Sequence, residues 1–534
     1  MIKRHSSLTP EASFKRSPIV MAMALSLASA HAAASETAAL APRDIVITPH
    51  TFENEAGETL SGEKGYVLVP EVRGDPNSRL IKVAFIRIPS TAQTPAPPVF
   101  YLHGGPNAEG VIASQSSRLD RLSQMQGVAD YIFVDGRGLG ESEPRLSCPV
   151  DPDVFVYDYE RYRRTLISET ATCIADFTSQ GLDLRGYNPK EYADDVHDLA
   201  LALGYERYSL TGNSFGAYWA MSIIKRHEAA VYRAAVSGVF GLDGALDLPQ
   251  EAQAAFDDLS MRIDASPVSK QLFGAKGFTQ TFDALMRRLE KKPVEVEVDF
   301  NGRKETLRLD PPTLTFILYL SGMTQHREAA AKLPMLIFAL DQGAYRGVGA
   351  MLAKELEKAL QEENPEVNVS ATATICNEVN SDAFLSEFAA QAALPMRDQW
   401  IGSFAIPYAV LFGCDELNAP LIDRSWAEPF TSDVPVFAMI GSFDGNTPPA
   451  GAWRALSKFP NLTAVTVNAG GHRHREIEAL WPEVIELRRA FLAGDDNISA
   501  PDEIDLAPID FDAPPWFARQ AFRLGMGDFL MSAF

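Results

Sequence analysis

Three runs near the start of the chain, DIVITPHTF, KGYVLVPEV and LIKVAFIRIP, alternate apolar and polar residues and are separated by Gly, Asn and Pro signals. A period of two between turn residues predicts antiparallel strands. The pattern then changes. PPVFYLHGGP, DYIFVDGRG, RYSLTGNSFG and YRAAVSGVFG each give a short apolar run that ends in a glycine-containing loop. Helical patterns lie between them, notably PKEYADDVHDLALALG, in which Pro189 suits a helix start and Gly204 a helix stop. Strands alternating with helices predict an α/β fold, a mostly parallel sheet with helices on both faces. Ligands bind such sheets beyond the carboxyl ends of the strands, where these loops fall.

From about Leu242 to Asp433 the alternation stops, and helical stretches such as PQEAQAAFDDLSMRI and GAMLAKELEKALQEEN take over. Within that block VEVEVDFNGRKETLRL reads as a hairpin around Asn301-Gly302. Residues 242–433 are therefore expected to form a mainly helical cap inserted into a sheet domain made of 45–241 and 434–495. The sheet pattern resumes in VPVFAMIGSFDGNTPP and NLTAVTVNAGGH, and the helical WPEVIELRRAFLAG follows. Residues 496–534 read as an acidic, Pro-rich tail ending in a short amphipathic helix that docks back onto the body.

The first residues read as an address. Lys3, Arg4, Lys15 and Arg16 precede the apolar run IVMAMALSLASA and the small residues SAHAAAS, a secretory signal peptide expected to be cleaved after Ala32 (1–32). The apolar run is short of the roughly 18 residues that a spanning helix needs. Export, to the periplasm or beyond, and no stable membrane insertion are the expectations. A length of 534 residues with 46% hydrophobic content is enough for a large core. The net charge of −22 would repel a phosphate backbone, which argues against nucleic-acid binding. The four cysteines allow three pairings; the sequence-local choice joins Cys148 to Cys173 and Cys376 to Cys414, with buried free thiols as the alternative. No Cys/His spacing suggests a metal.

The most specific chemical signal is LTGNSFGAYWA. Gly212-Asn213-Ser214-Phe215-Gly216 matches G-x-S-x-G after a strand and before a helix, which makes Ser214 the expected nucleophile. A serine hydroxyl needs a base, and the base needs a carboxylate to orient it. In this arrangement the partners follow in the order Ser, Asp or Glu, His, each past a later strand. Asp444 in FAMIGSFDGNTPP and His472 in AVTVNAGGH stand there. Asp433 and Asp415 compete on type, but Asp433 precedes its strand. In HGGP, Gly104 or Gly105 would give one donor to a developing oxyanion and the amide of Phe215 the other; His103 reads as structural. His474, with Arg473 and Arg475, is expected at the surface or behind the site.

With these residues assembled, the chain resembles the α/β-hydrolases of the prolyl iminopeptidase and tripeptidyl aminopeptidase family, carrying HGGP, DGRGLGES, GNSFG, DGNTP and GGH in the family's order from about residue 45 to 495. Exported tripeptidyl aminopeptidase-like members are most similar, through RLSCP, ATC and TATICNE. Two departures, Asn107 after Pro106 and Gly136 between Asp135 and Arg137, weaken any inference of strict proline specificity. The resemblance implies a helical cap, a serine peptidase without metal or organic cofactor, and a peptide substrate with a free amino terminus. It also implies an acidic group for the ammonium, for which Glu378 is the candidate, with Asp415 and Glu416 behind it. Asp135 and Arg137 are expected to brace nearby loops through an ion pair and hydrogen bonds. A carboxylic ester hydrolase with the same triad is the alternative activity, and a non-catalytic binding protein of the same fold the alternative class.

Overall fold

The computed structural model describes residues 40–105, 118–150, 155–243, 248–362, 366–377, 381–402, 413–513, 520, 522 and 526–533. The expected leader, 1–32, and Glu378 lie outside the described residues. Three antiparallel strands come first: β1 (Ile45–Glu53), β2 (Thr59–Pro70) and β3 (Leu80–Ile88). The short apolar runs become β4 (Val99–Leu102), β5 (Tyr131–Val134), β7 (Tyr208–Asn213), β8 (Val231–Ser237), β12 (Val436–Gly441) and β13 (Leu462–Asn468). These join with β14 (Glu503–Asp505) in one ten-stranded sheet of order β1-β2-β3-β5-β4-β7-β8-β12-β13-β14. Every pairing from β5 to β14 is parallel.

Alternate residues of the same strands feed two different cores, which is what burial on both faces requires. Val83, Phe85, Ile132, Val134, Val436 and Ala438 belong to one hydrophobic cluster, together with Val196 and Trp219. Ala84, Ile86, Tyr131, Phe133, Phe437 and Met439 belong to the cluster on the other face. The first face is covered by α2 (Pro189–Ala202) and α3 (Phe215–His227), after α1 (Tyr159–Ser179). In α2, Pro189 stands at the first turn and the Asn188 side chain accepts from Lys190 N and Glu191 N, an N-cap of a preferred kind.

Between β8 and β12 the chain is mainly helical, including α4 (Pro249–Ala265), α5 (Gly277–Lys291), α6 (Pro311–Leu320), α7 (Arg327–Asp341) and α8 (Tyr345–Glu362). The anticipated hairpin is β9 (Val294–Phe300) with β10 (Arg303–Leu309). Its turn residues Asn301 and Gly302 have φ of 49° and 71°, both in the left-handed region that a two-residue hairpin turn demands. These elements build a separate hydrophobic cluster around Phe256, Leu285, Phe300, Leu314, Leu333 and Phe338.

Phe155 and Tyr157 from the first stretch, and Ile509, Phe511, Phe522 and Met531 from the tail, belong to this cluster, and Gly347 N donates to Asp528 Oδ1 (2.8 Å). The tail also supplies β14, which no alternation in the sequence announces because three residues are too few to carry a period. A further small sheet pairs β6 (Ser147–Pro149) with β11 (Glu366–Asn368), tying a loop after β5 to the helical block. Both sequence-local disulfides are present, Cys148–Cys173 with Cα atoms 6.0 Å apart and Cys376–Cys414 at 5.5 Å. Among the described residues no helix is long and apolar enough to cross a membrane.

Candidate active site

Strand β7 runs into α3 through Ser214, which has φ 60° and ψ −125°. A non-glycine residue held there costs on the order of 1–3 kcal/mol and persists only where its surroundings over-determine it. The two glycines supply that determination through close approach. A Cβ at Gly212 would lie 2.6 Å from the backbone carbonyl of Gly216, and one at Gly216 would lie 2.2 Å from Leu102 O. The turn is further tied by Ser214 N donating to Ser237 O (3.0 Å) and Ser237 Oγ to Asn213 Oδ1 (2.9 Å).

Asp444 follows β12 and is 2% exposed. Its carboxylate accepts Asn446 N (2.9 Å) and Thr447 N (2.8 Å) on Oδ1, and Thr447 Oγ1 (2.7 Å) on Oδ2. The remaining acceptor capacity goes to His472 Nδ1, at 2.9 Å from Oδ2 and 3.1 Å from Oδ1. A buried ionised carboxylate needs such a full complement of donors. Because the partner is acceptor-only, His472 carries its proton on Nδ1 and presents a lone pair on Nε2.

His472 follows β13. Its loop turns at Ala469, a non-glycine residue at φ 57°, whose carbonyl accepts Arg327 Nη1 (2.5 Å) and whose amide donates to Ser442 Oγ (3.1 Å). His472 N donates to Gln325 O (2.6 Å) and Gly445 N to Thr324 O (3.2 Å), so the segment between α6 and α7 holds both the Asp444 and the His472 loops. The base also borders the elbow. A Cβ on Gly238 would meet His472 Cε1 at 3.0 Å and Asn213 Oδ1 at 3.2 Å.

Ser214 at a strained turn past β7, Asp444 past β12 and His472 past β13, all at carboxyl ends of a parallel sheet with this strand order, decide the architecture. The chain has the α/β-hydrolase fold. No protein-family model matches the chain, and no curated protein matches it. Similar solved structures include a proline iminopeptidase from Mycobacterium smegmatis (17% identity, TM-score 0.36, covering 81% of this chain and 98% of that one). A proline iminopeptidase-related protein from Thermus thermophilus has 15% identity and a TM-score of 0.35, covering 80% and 97%. A thermophilic esterase from Thermogutta terrifontis has 15% identity and a TM-score of 0.33, covering 80% and 97%. These likenesses are distant, and the fold statement rests on the chain's own strand order.

The other anticipated residues fall as follows. Gly104 lies against Ser214, since a Cβ there would be 3.6 Å from Ser214 Cβ; Gly105 has φ 119° and Phe215 begins α3. His103 is buried and its Nδ1 donates to Gly104 O (2.8 Å); burial lowers its pKa, which suits a neutral structural ring. Asp415 and Glu416 are exposed beside the Cys376–Cys414 bridge, and Glu416 pairs with Arg163 (2.5 Å); no hydrogen bond or ion pair among the described residues joins either to the triad residues.

Arg137 does brace loops, but its ion partners are Asp195 and, at 3.4 Å, Glu191 rather than Asp135. Its Nε and Nη2 bind the two Asp195 oxygens at 2.7 and 2.5 Å, and its Nη1 donates to Glu71 O and Gly186 O at 2.6 Å. Asp135 accepts Glu141 N (2.8 Å). His474 is part-buried behind the Ser214 turn, whereas Arg473 and Arg475 are exposed. Its Nε2 accepts from Arg121 Nη2 (2.7 Å) beside a cavity of about 20 Å³ lined also by Tyr101, Asn213, Ser237, Glu478 and Arg488. Burial, reinforced by Arg121 and Arg488 against the opposing Glu478, pushes its pKa from 6.5 down to about 3.

Several site residues escaped the sequence reading: Thr447, Asn446, Tyr319, Gln325 and Arg327. A threonine three positions after a loop aspartate is a local hydrogen-bonding pattern that could have flagged Thr447. The others come together only through the fold.

Proposed function

We propose that the protein is an exported serine hydrolase that removes residues from the amino termini of short peptides. The observation that carries the hydrolase reading is the buried Asp444–His472 pair, its imidazole lone pair turned away from the acid, beside a serine at a strained elbow. Ser214 Oγ attacks the scissile carbonyl carbon while His472 Nε2 takes its proton, and Asp444 stabilises the imidazolium. The carbonyl oxygen gains the electron pair and is met by the amide of Phe215 and that of Gly104 or Gly105. Collapse of the tetrahedral species breaks the C–N bond, and the leaving amine receives the proton from His472. Water then repeats the sequence on the acyl-enzyme and frees Ser214.

The peptidase part of the reading is supported by the ordered motifs HGGP, DGRGLGES, GNSFG, DGNTP and GGH, and by a helical block packed over both catalytic loops. Glu378 is the group we assign to the substrate ammonium. Two disulfides and the leader-like first residues support export. The test compares aminoacyl and tripeptidyl nitroanilides, their N-blocked forms and simple nitrophenyl esters, with Ser214→Ala as control. Turnover of free-amine peptides that falls on blocking is expected. Equal cleavage of blocked peptides, or turnover of esters alone, rules out the aminopeptidase.

A further inference from the structure

The lone pair of His472 that the mechanism requires is already engaged. Asn446 Nδ2 lies 3.0 Å from His472 Nε2, and Asn446 Oδ1 accepts the hydroxyl of Tyr319 at 2.9 Å. With Nδ1–H donating to Asp444, Nε2 is an acceptor, so the Asn446 NH2 group faces the imidazole and donates to it, leaving Oδ1 to accept from Tyr319. A neutral imidazole has one acceptor nitrogen, and Nδ1 is spent as donor to Asp444. Ser214 Oγ–H and Asn446 Nδ2–H therefore compete for the same lone pair. None of the hydrogen bonds among the described residues joins Ser214 Oγ to His472.

From the tyrosine of α6 to the acid, four side chains stand in one hydrogen-bonded line: Tyr319, Asn446, His472 and Asp444. The backbone of Asn446 is pinned, because its N–H donates to Asp444 Oδ1 (2.9 Å) and the neighbouring Gly445 N to Thr324 O (3.2 Å). With the backbone held, the imidazole is released by rotation of the Asn446 side chain. Once turned away, that side chain offers a carbonyl oxygen and an N–H together, the pair complementary to a peptide unit. A simple ester or a phosphonyl fluoride has no N–H to offer in exchange.

We propose that Asn446, held by Tyr319 of the helical block, is a latch on the catalytic base that an amide-bearing substrate releases. The proposal rests on the serine-hydrolase reading and adds to it both a resting state and a reason to prefer peptides. The latch replaces one neutral hydrogen bond by another, so its removal is expected to change rates by about two- to tenfold, the span of one such bond.

The experiment measures the second-order rate of labelling by a fluorophosphonate for the full chain, Asn446→Ala, Tyr319→Phe and Ser214→Ala. Asn446→Ala should label about two- to tenfold faster, and Tyr319→Phe faster by a smaller factor, because the amide stays but loses its anchor. The kcat/KM for a free-amine peptide nitroanilide should not rise in Asn446→Ala. Labelling of Asn446→Ala at or below the full chain's rate overturns the latch while leaving the nucleophile assigned. Absence of labelling in every variant overturns the serine-hydrolase reading. The latch has a separate readout that needs no turnover. In Ser214→Ala protein the imidazole 15N signal of His472 should report a hydrogen-bonded Nε2 acceptor, and adding Asn446→Ala should shift it toward the free value. An unmoved signal overturns the latch.

Discussion

The part-buried imidazole of His474 makes a quantitative prediction about acid stability. Its pKa falls from 6.5 to about 3 in the folded chain, chiefly through burial and then through Arg121 and Arg488. The unfolded chain takes up a proton as pH drops through 6.5; the folded chain refuses it until about 3. Over that window the unfolded state binds more protons, so stability rises with pH and falls on acidification. Above 6.5 both states are neutral and the group contributes no pH dependence. At one pKa unit per 1.36 kcal/mol, the loss on going from pH 7 to pH 5 is about 2 kcal/mol from this ring. His326, lowered from 6.5 to about 4 by burial, Arg473 and His472, adds a comparable slope over the same interval. The assay is urea unfolding at pH 7, 6 and 5 at fixed ionic strength, comparing the full chain with His474→Gln. Glutamine keeps an oxygen acceptor for Arg121 and removes the titration. His474→Gln should lose about 2 kcal/mol less than the full chain between pH 7 and pH 5. Parallel losses in the two proteins would refute the part-buried, neutral ring.

Other perturbations separate the roles of neighbouring groups. Thr447→Val keeps the shape of a buried residue but deletes the Oγ1 donor to Asp444 Oδ2, and loss of a hydrogen bond to a charged group should cost about 1.5–3 kcal/mol in transition-state stabilisation, read as kcat/KM on any accepted substrate. His472→Ala and Ser214→Ala should each remove turnover by about 10⁴-fold or more while leaving the circular dichroism and unfolding midpoint close to the full chain's. Gly216→Ala should fail to accumulate as folded protein, because its Cβ would sit 2.2 Å from Leu102 O in the middle of the sheet; normal expression and melting would contradict the close approach. Replacing Cys376 and Cys414 together by serine, which opens the 38-residue loop and leaves Cys148–Cys173 in place, should lower stability by about 3–4 kcal/mol on the chain-entropy account, measured by urea unfolding.

What was legible in the sequence were those parts whose signal is local. The strand preceding each functional loop is a short apolar run, and Ser214, Asp444 and His472 stand immediately past such runs, so their elements could be placed from pattern alone. The hairpin turn at Asn301-Gly302 was equally local, since its two residues must adopt positive φ. The parts that were not legible depend on groups far apart in the chain. Arg137 meets Asp195 across 58 positions, and Arg121 meets His474 across 353. Neither partner is distinguished from a solvated charge until the sheet brings the segments together. Asn446 and Tyr319 are of the same kind, separated by 127 positions and joined only when α6 lies over the acid loop.

The outer flank of the base loop comes from β14, whose Asp505 side chain accepts from Asn468 Nδ2 (2.9 Å) and after which Leu506 N donates to Asn468 O (3.2 Å). Arg327 then bridges the turn at Ala469 to Ala507 O (2.7 Å). Among the strands of the sheet this one leaves the ribosome last. A nascent chain can thus carry its elbow and its acid loop while the histidine loop still has an open side. A chain released before β14 would leave the loop that carries His472 without its outer support.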